Sequence, residues 1–324
     1  MVLVTGGTGH IGNVLVRKLV QRGESVRVLV LPGESRASLQ GLEVEFAEGN
    51  VLDRASCRTA MAGVDVVYHL AGIIAIAPGT ERLMWEVNVT GARTVAQAAA
   101  EVGVRRLVHV GSVHAFARGP GQVVDERTPL ALTAPWNNYD RTKAEGVAAA
   151  LDLAQDGLDV AVACPSGVIG PYDYLGSEMG RLIRTFARPG YHLLTEGGFD
   201  FVDVRDVADG LIQVADQGRS GEIYILSGTY VSLAELHQSV QAVANTKSAS
   251  VVAPTSLALA IGRIMPYYYR LTRTIPQITT YSVLTVAEKC RFLHGKAGRE
   301  LGYEPRPLLD TIEDTLLWWQ NLTE

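Results

Sequence analysis

Three cysteines in 324 residues, Cys57, Cys164 and Cys290, are too few and too far apart for a disulfide framework or for metal-ligand spacing. Their expected place is among the small buried hydrophobes of a protein from a reducing compartment. Charge is scarce as well. Only 19% of residues are charged, there is no basic run, and the net charge is −5. A sequence-independent grip on nucleic acid needs a basic face that releases counterions, so that class of partner is excluded. Long hydrophobic runs are also missing: the longest, such as residues 251–262, fall short of the roughly 20 residues that span a bilayer. Residue 2 already begins the first strand, which leaves no room for a signal or transit peptide. Neither an internal repeat nor a low-complexity segment is present. The expectation is a soluble cytoplasmic protein with no nucleic-acid or membrane partner and no metal.

What is present is apolar and glycine-rich, with 47% hydrophobic residues and 33 glycines. The chain is organised around Thr5-Gly6-Gly7-Thr8-Gly9-His10-Ile11-Gly12, which follows the apolar Val2-Leu3-Val4. Gly6, Gly9 and Gly12 are spaced to turn sharply out of a strand, admit a pyrophosphate without a Cβ in the way, and seat a helix closely on a sheet. A helix over Ile11 to Gln21 would aim its free N–H groups and the positive end of its dipole at the phosphates. Such glycine runs also occur in ordinary loops, so context decides. Here Val14, Leu15, Leu19 and Val20 recur at helical spacing, Gly23 stands at a C-cap, and residues 25–30 form the next strand.

After that strand, Leu31 stands where an acid would bind the adenosine ribose of NAD, while an Arg nearby would accept the extra phosphate of NADP. Glu34 and Arg36 follow. Arg36 either pairs with a phosphate or is a solvated turn residue. Residues 42–46 form a third strand candidate, and Asn50 and Val51 lie in a strand-end loop beside the adenine. A further strand over 65–72 ends in Leu70-Ala71-Gly72, the small backbone that can pass close under a cofactor. His69 reads as a satisfied strand histidine. A long helix is predicted over 81–102, a strand over 104–111, a helix over 139–156 and a strand over 160–164. Alternation of this kind implies an α/β, doubly wound parallel (Rossmann) sheet. Beyond Pro165 the pattern loosens until Asp200, a helix begins at Phe201, a strand returns at 222–226, and residues 229–324 read as mainly helical. The expected division is a nucleotide domain of residues 1–165 and 200–228, and a smaller substrate-binding part of 166–199 and 229–324.

Tyr139 and Lys143 lie one helical turn apart and so on one face. A tyrosine hydroxyl titrates near pH ~10, and an adjacent ammonium, helped by an oxidised nicotinamide, would stabilise its phenolate, so that it could give a proton to a carbonyl oxygen or take one from an alcohol. Lys143 could also bond the nicotinamide ribose. Outside a nucleotide fold the pair would be a solvated helix face. Ser112 ends the preceding strand, where it either binds the substrate oxygen or caps local backbone.

Together with H-L-A-G at 69–72, N-V-T-G at 88–91, V-G-S-V at 110–113, Y-D-R-T-K, P-S-G-V-I-G-P and F-V-D-V-R-D-V-A, these residues resemble the extended short-chain dehydrogenase/reductase superfamily over nearly the whole chain. Within it the chain looks most like the dihydroflavonol reductase, 3β-hydroxysteroid dehydrogenase and epimerase/dehydratase group. The resemblance implies a Ser112, Tyr139 and Lys143 catalytic set, NAD or NADP as cofactor, Asn50 and Val51 near adenine, and Pro165 to Val168 beside the nicotinamide. It also implies a homodimer through the helices near 81–102 and 139–156. His114 replaces a residue that is more often small and polar, and either faces the substrate or packs. The expected activity is reduction of a ketone or aldehyde, or oxidation of the alcohol, and Tyr172, Tyr174, Tyr191 and Tyr267 to Tyr269 lean toward a partly apolar small-molecule substrate. The alternative is a nucleotide-sugar epimerase or dehydratase, with Arg181, Arg184, Arg188 and Arg205 available for a diphosphate. A nucleotide-sensing regulator on the same fold would commonly lack the Tyr-Lys pair.

Overall fold

A computed structural model describes residues 1–74, 80–134, 138–262 and 280–323. The chain opens with β1 (Val2–Thr5), α1 (His10–Gln21) and β2 (Val26–Val30), the series that the glycine spacing predicts. It continues through β3 (Glu45–Glu48), α2 (Arg54–Ala60), β4 (Val66–His69), α3 (Glu81–Trp85), α4 (Ala92–Val102), β5 (Arg106–Val110), β6 (Val123–Val124), α5 (Asn138–Gln155) and β7 (Val160–Pro165). Then follow β8 (Gly167–Ile169), α6 (Glu178–Phe186), β9 (Tyr191–Thr195), β10 (Gly198–Asp203), α7 (Val204–Gln217), β11 (Ile223–Leu226), β12 (Thr229–Ser232), α8 (Leu233–Ala244) and β13 (Ala249–Ala253). The remainder is α9 over 255–262, α10 (Thr280–Ala287), β14 (Arg291–Phe292), α11 (Gly295–Leu301) and α12 (Leu308–Thr323).

Seven parallel strands form the central sheet in the order β11-β7-β5-β4-β1-β2-β3. The chain winds outward from β1 to β3, then returns and winds the other way from β4. That reversal leaves a crevice at the carboxyl ends of β1 and β4, where open α/β sheets bind their ligands. Both faces are covered, and the strands therefore read as apolar runs instead of alternating. On one face Leu15 and Leu19 of α1, Val207 and Leu211 of α7 and Leu301 of α11 pack with Val4 and Val28. On the other, Cys57 of α2, Val95 and Ala99 of α4 and Ala150 of α5 pack with Leu3 and Leu107. A smaller sheet, β12-β10-β8, rests with α6, α8 and α12 on Ile183, Leu236 and Ile312. The three cysteines are free and buried, as expected. Among the described residues no helix is long and apolar enough to cross a membrane.

Several local expectations are corrected. The third strand begins at Glu45, where pairing with Arg27 of β2 starts, so it lies three residues further along than the apolar pattern suggests. Phe201 does not open a helix: it belongs to β10, and α7 starts at Val204 because the Asp203 carboxylate caps the Arg205 N–H at 2.7 Å. The helix expected over 81–102 is interrupted by a π-helical turn, Glu86–Gly91. Residues 229–324 are mainly helical, as expected, and among the described residues they also hold β12, β13 and β14, of which β13 pairs with β9 and β14 with β6. Pro266, Pro276 and Tyr267 to Tyr269 lie outside the described residues.

Candidate active site

The glycine turn is shaped by contacts that no side chain could share. Gly6 has φ +69°, and a Cβ there would lie 2.7 Å from the Ala71 nitrogen and 2.8 Å from the Leu70 carbonyl carbon. A Cβ on Gly12 would overlap the Gly6 carbonyl oxygen and come within 2.7 Å of Gly7 Cα. Backbone cannot yield as a side chain can, so Gly12→Ala is expected to cost about 3 kcal/mol or more of stability, read by urea denaturation. Gly9 is the N-cap of α1 and supplies no side-chain bond to the helix. The first-turn N–H groups of His10, Ile11 and Gly12 are thus left to an anion from outside the helix. The His10 ring turns away from them and bonds the Pro171 carbonyl at 3.0 Å, while Ile11 packs on the core.

At the other end of the crevice, Ser112 leaves β5 and Tyr139 and Lys143 lie on α5. The Tyr139 ring is buried, and its hydroxyl is hydrogen-bonded with Ser112. Ser112 Oγ also accepts the His114 N–H at 3.2 Å, so it caps local backbone while its side chain touches the tyrosine. Lys143 Nζ lies 3.3 Å from where a Cβ on Gly72 would be, which places the ammonium over the carboxyl end of β4 and explains the glycine. Burial, offset slightly by Cys164, lowers the Lys143 pKa to about 8. Burial also drives the Tyr139 phenol well above its usual range, with the Asp140 charge adding to the rise and the Ser112 bond opposing it. In the protein alone Tyr139 holds its proton.

A buried polar network that the sequence did not suggest surrounds the phenol. The His114 ring lies 5.3 Å from that of Tyr139 and stacks on Phe199 at 5.7 Å. Its Nδ1 is 2.8 Å from Asp140 Oδ1 and 2.8 Å from the Tyr281 hydroxyl. Arg118 donates to Asp140 at 2.7 Å and to Glu288 at 2.7 Å. Desolvation and the Arg118 charge lower the His114 pKa, against the pull of Asp140, so the ring is neutral near pH 7. Tyr281 comes from α10, more than a hundred residues away in the chain, and no local pattern could have placed it. Asp140 was visible only as one letter inside Y-D-R-T-K.

The other expected residues are placed as follows. Arg36 pairs with Glu48 at 2.7 Å and lies over the Phe46 ring at 4.6 Å. Asn50 turns its amide oxygen to its own loop, accepting the Leu52 N–H at 2.9 Å, while Val51 is buried against Gly91. Pro165 ends β7 and Val168 lies half-buried in β8. His69 is satisfied by the Thr5 hydroxyl at 2.7 Å. Tyr172 and Tyr174 stack on Arg17 and Trp318, and Tyr191 is 92% exposed, so none of the three lines the tyrosine site.

A profile of the NAD dependent epimerase/dehydratase family matches residues 2–227. The chain belongs to that family. Sterol demethylase protein B of Methylococcus capsulatus is 33% identical to this epimerase/dehydratase-family chain over 321 residues, 98% of each. The 4-hydroxy-2-methyl-3-oxo-4-farnesyl-3,4-dihydroquinoline-1-oxide ketoreductase of Stigmatella aurantiaca is 29% identical over 311 residues, 94% of this chain and 91% of that one. Among solved structures, gox2253 superposes with a TM-score of 0.85 at 29% identity, covering 99% of this chain and 98% of that one. The protein is therefore an NAD-dependent oxidoreductase of the short-chain dehydrogenase/reductase type. The residues fit the cofactor: the side-chain-free turn at Gly6, Gly9 and Gly12 and the uncapped start of α1 could take its pyrophosphate, and Ala71, Gly72 and Lys143 its nicotinamide half.

Proposed function

We propose that this enzyme reduces a ketone or aldehyde of a small, partly apolar substrate, or oxidises the matching alcohol, by means of Ser112, Tyr139 and Lys143. The observation that carries the reading is the buried phenol itself, bonded to Ser112 and walled by His114 and Tyr281, with Phe199 stacked behind the His114 ring. The nicotinamide, when bound, would supply a hydride in its reduced form for ketone reduction and accept one in its oxidised form for alcohol oxidation. Ser112 holds the substrate oxygen. Tyr139, protonated in the resting protein, gives its proton to that oxygen in reduction and takes it back in oxidation. The Lys143 ammonium stabilises the phenolate left behind.

The arginines that a nucleotide-sugar diphosphate would need are largely engaged elsewhere. Arg205 is held between Asp203 at 2.7 Å and Asp314 at 2.6 Å, Arg181 bonds the Gly176 carbonyl, and Arg184 lies over Trp319 at 5.4 Å. The remaining finer points belong to the same reading. The substrate rests on residues 166–199 and 229–324, and the cofactor on 1–165 and 200–228. Exposed Leu83, Trp85 and Val102 on α3 and α4 support a homodimer through those helices, and buried free thiols support a cytoplasmic setting. The test is stoichiometric: cyclic and aryl ketones should consume one NADH per product. Unfolding protection by UDP-glucose or dTDP-glucose, with no net NADH consumed, would replace this reading with the epimerase or dehydratase one.

A further inference from the structure

We propose that Glu34, and not the residue at the end of β2, reads the adenosine ribose and makes the protein select NAD over NADP. The residue at the strand end is Leu31, an exposed hydrophobe that can bond neither a hydroxyl nor a phosphate. The chain then doubles back. Glu34 N–H bonds the Leu31 carbonyl at 3.0 Å across Pro32 and Gly33, with Gly33 at φ +77°, the proline-glycine pattern of a type II turn. The turn returns the Glu34 carboxylate to the crevice 22 residues after Gly12. There Oε2 accepts the Leu31 N–H at 2.8 Å and Oε1 accepts the Thr8 hydroxyl. The carboxylate therefore bridges the end of β2 and the glycine turn, half-buried and open on its solvent side.

That is where the ribose of a dinucleotide must lie if its pyrophosphate sits on α1. A carboxylate can accept about four hydrogen bonds. Two are in use, which leaves lone pairs for the ribose 2′- and 3′-hydroxyls. A 2′-phosphate at the same point would bring a second negative charge against the carboxylate. Among the described residues the two nearby arginines are engaged: Arg36 is held by Glu48 and Phe46, and Arg17 bonds the Ser38 carbonyl at 2.8 Å beneath Tyr172. Thr8 acts here as a positioning residue for the carboxylate.

Binding of NADH and NADPH to the full chain, titrated by nicotinamide fluorescence, tests this without turnover. The unaltered protein should bind NADH at least about 30-fold more tightly, and Glu34→Gln should narrow that ratio by about 10-fold or more, the worth of a charge-assisted hydrogen bond. Glu48→Gln, which releases Arg36, should strengthen NADPH alone. If Glu34→Gln does not fold by circular dichroism, Thr8→Val should weaken NADH several-fold with NADPH unchanged. Comparable affinity for both nucleotides in the unaltered protein overturns the proposal, as does an unchanged ratio in Glu34→Gln or unchanged NADH affinity in Thr8→Val. Tyr139→Phe in the same titration should keep the full preference, so a failed catalytic assignment would leave this result readable.

Discussion

Tyr139→Phe is expected to lower kcat by about 10³-fold, the range of a lost general acid or base, while NADH binding changes less than about twofold. The ring, and with it the packing on His114 and Tyr281, is kept. Only the hydroxyl that bonds Ser112 is removed. A variant that turned over the ketone at the normal rate would remove Tyr139 from the mechanism. The pH profile provides a second reading of the same group. Because burial holds the phenol protonated, reduction should be flat through neutrality. It should decline above about pH 8, where Lys143 gives up its charge and the phenolate formed in each turnover loses its counterion. Oxidation needs the phenol to release its proton first, so its rate should climb with pH until the same point.

Lys143→Met should act in opposite directions on activity and stability. Losing the ammonium should reduce kcat/KM by at least about 10²-fold, since nothing else described beside the phenol carries a positive charge except Arg118, which Asp140 and Glu288 already neutralise. The cofactor-free protein should nonetheless become more stable. The lysine pKa falls from 10.5 to about 8 on folding. Near pH 7 the folded state therefore carries a charge that it disfavours, and the unfolded state binds protons more readily. For a lysine that keeps some contact with solvent the gain is about 2 kcal/mol. It should shrink as pH rises from 8 to 10.5, because the unaltered protein recovers stability over that window. Urea denaturation at pH 7 and pH 10 measures both. A methionine variant less stable at pH 7 would show that the folded protein favours the charge.

The legible parts of the chain were those fixed by neighbours in sequence. Glycines at 6, 9 and 12 announced the turn, and apolar periodicity announced the alternation of strands and helices. The spacing of Tyr139 and Lys143 put them on one helix face because a helix repeats locally. What could not be read was set by distant packing. Burial holds the Tyr139 phenol protonated in the cofactor-free protein, and burial depends on the whole fold. Tyr281 reaches the phenol from another element and Phe199 backs the His114 ring beside it, whereas Tyr172 and Tyr191, which were as prominent in the sequence, lie elsewhere. The Glu48 partner of Arg36 comes from β3 and could not be read from the turn that carries the arginine. Phe201 looked helical because the capping Asp203 sits two residues further on, and an Asp marks a helix start only once its side chain is seen to bond the next turn.

The π-helical turn at 86–91 places Asn88 inward, where its amide accepts the Ile73 N–H at 2.8 Å and donates to the Ile73 carbonyl at 3.0 Å and to Thr142 at 3.2 Å. A turn of this kind carries one residue more than the α-helix around it. Deleting a single residue between Glu86 and Gly91 would thus give a smoother, locally more regular rod, yet it would rotate all of α3 by about 100° against α4 and swing Asn88 off the stretch after β4. Insertions and deletions tolerated in most long helices should be purged here, and the irregularity should persist in descendants of this gene as a fixed offset between two otherwise ordinary helical phases.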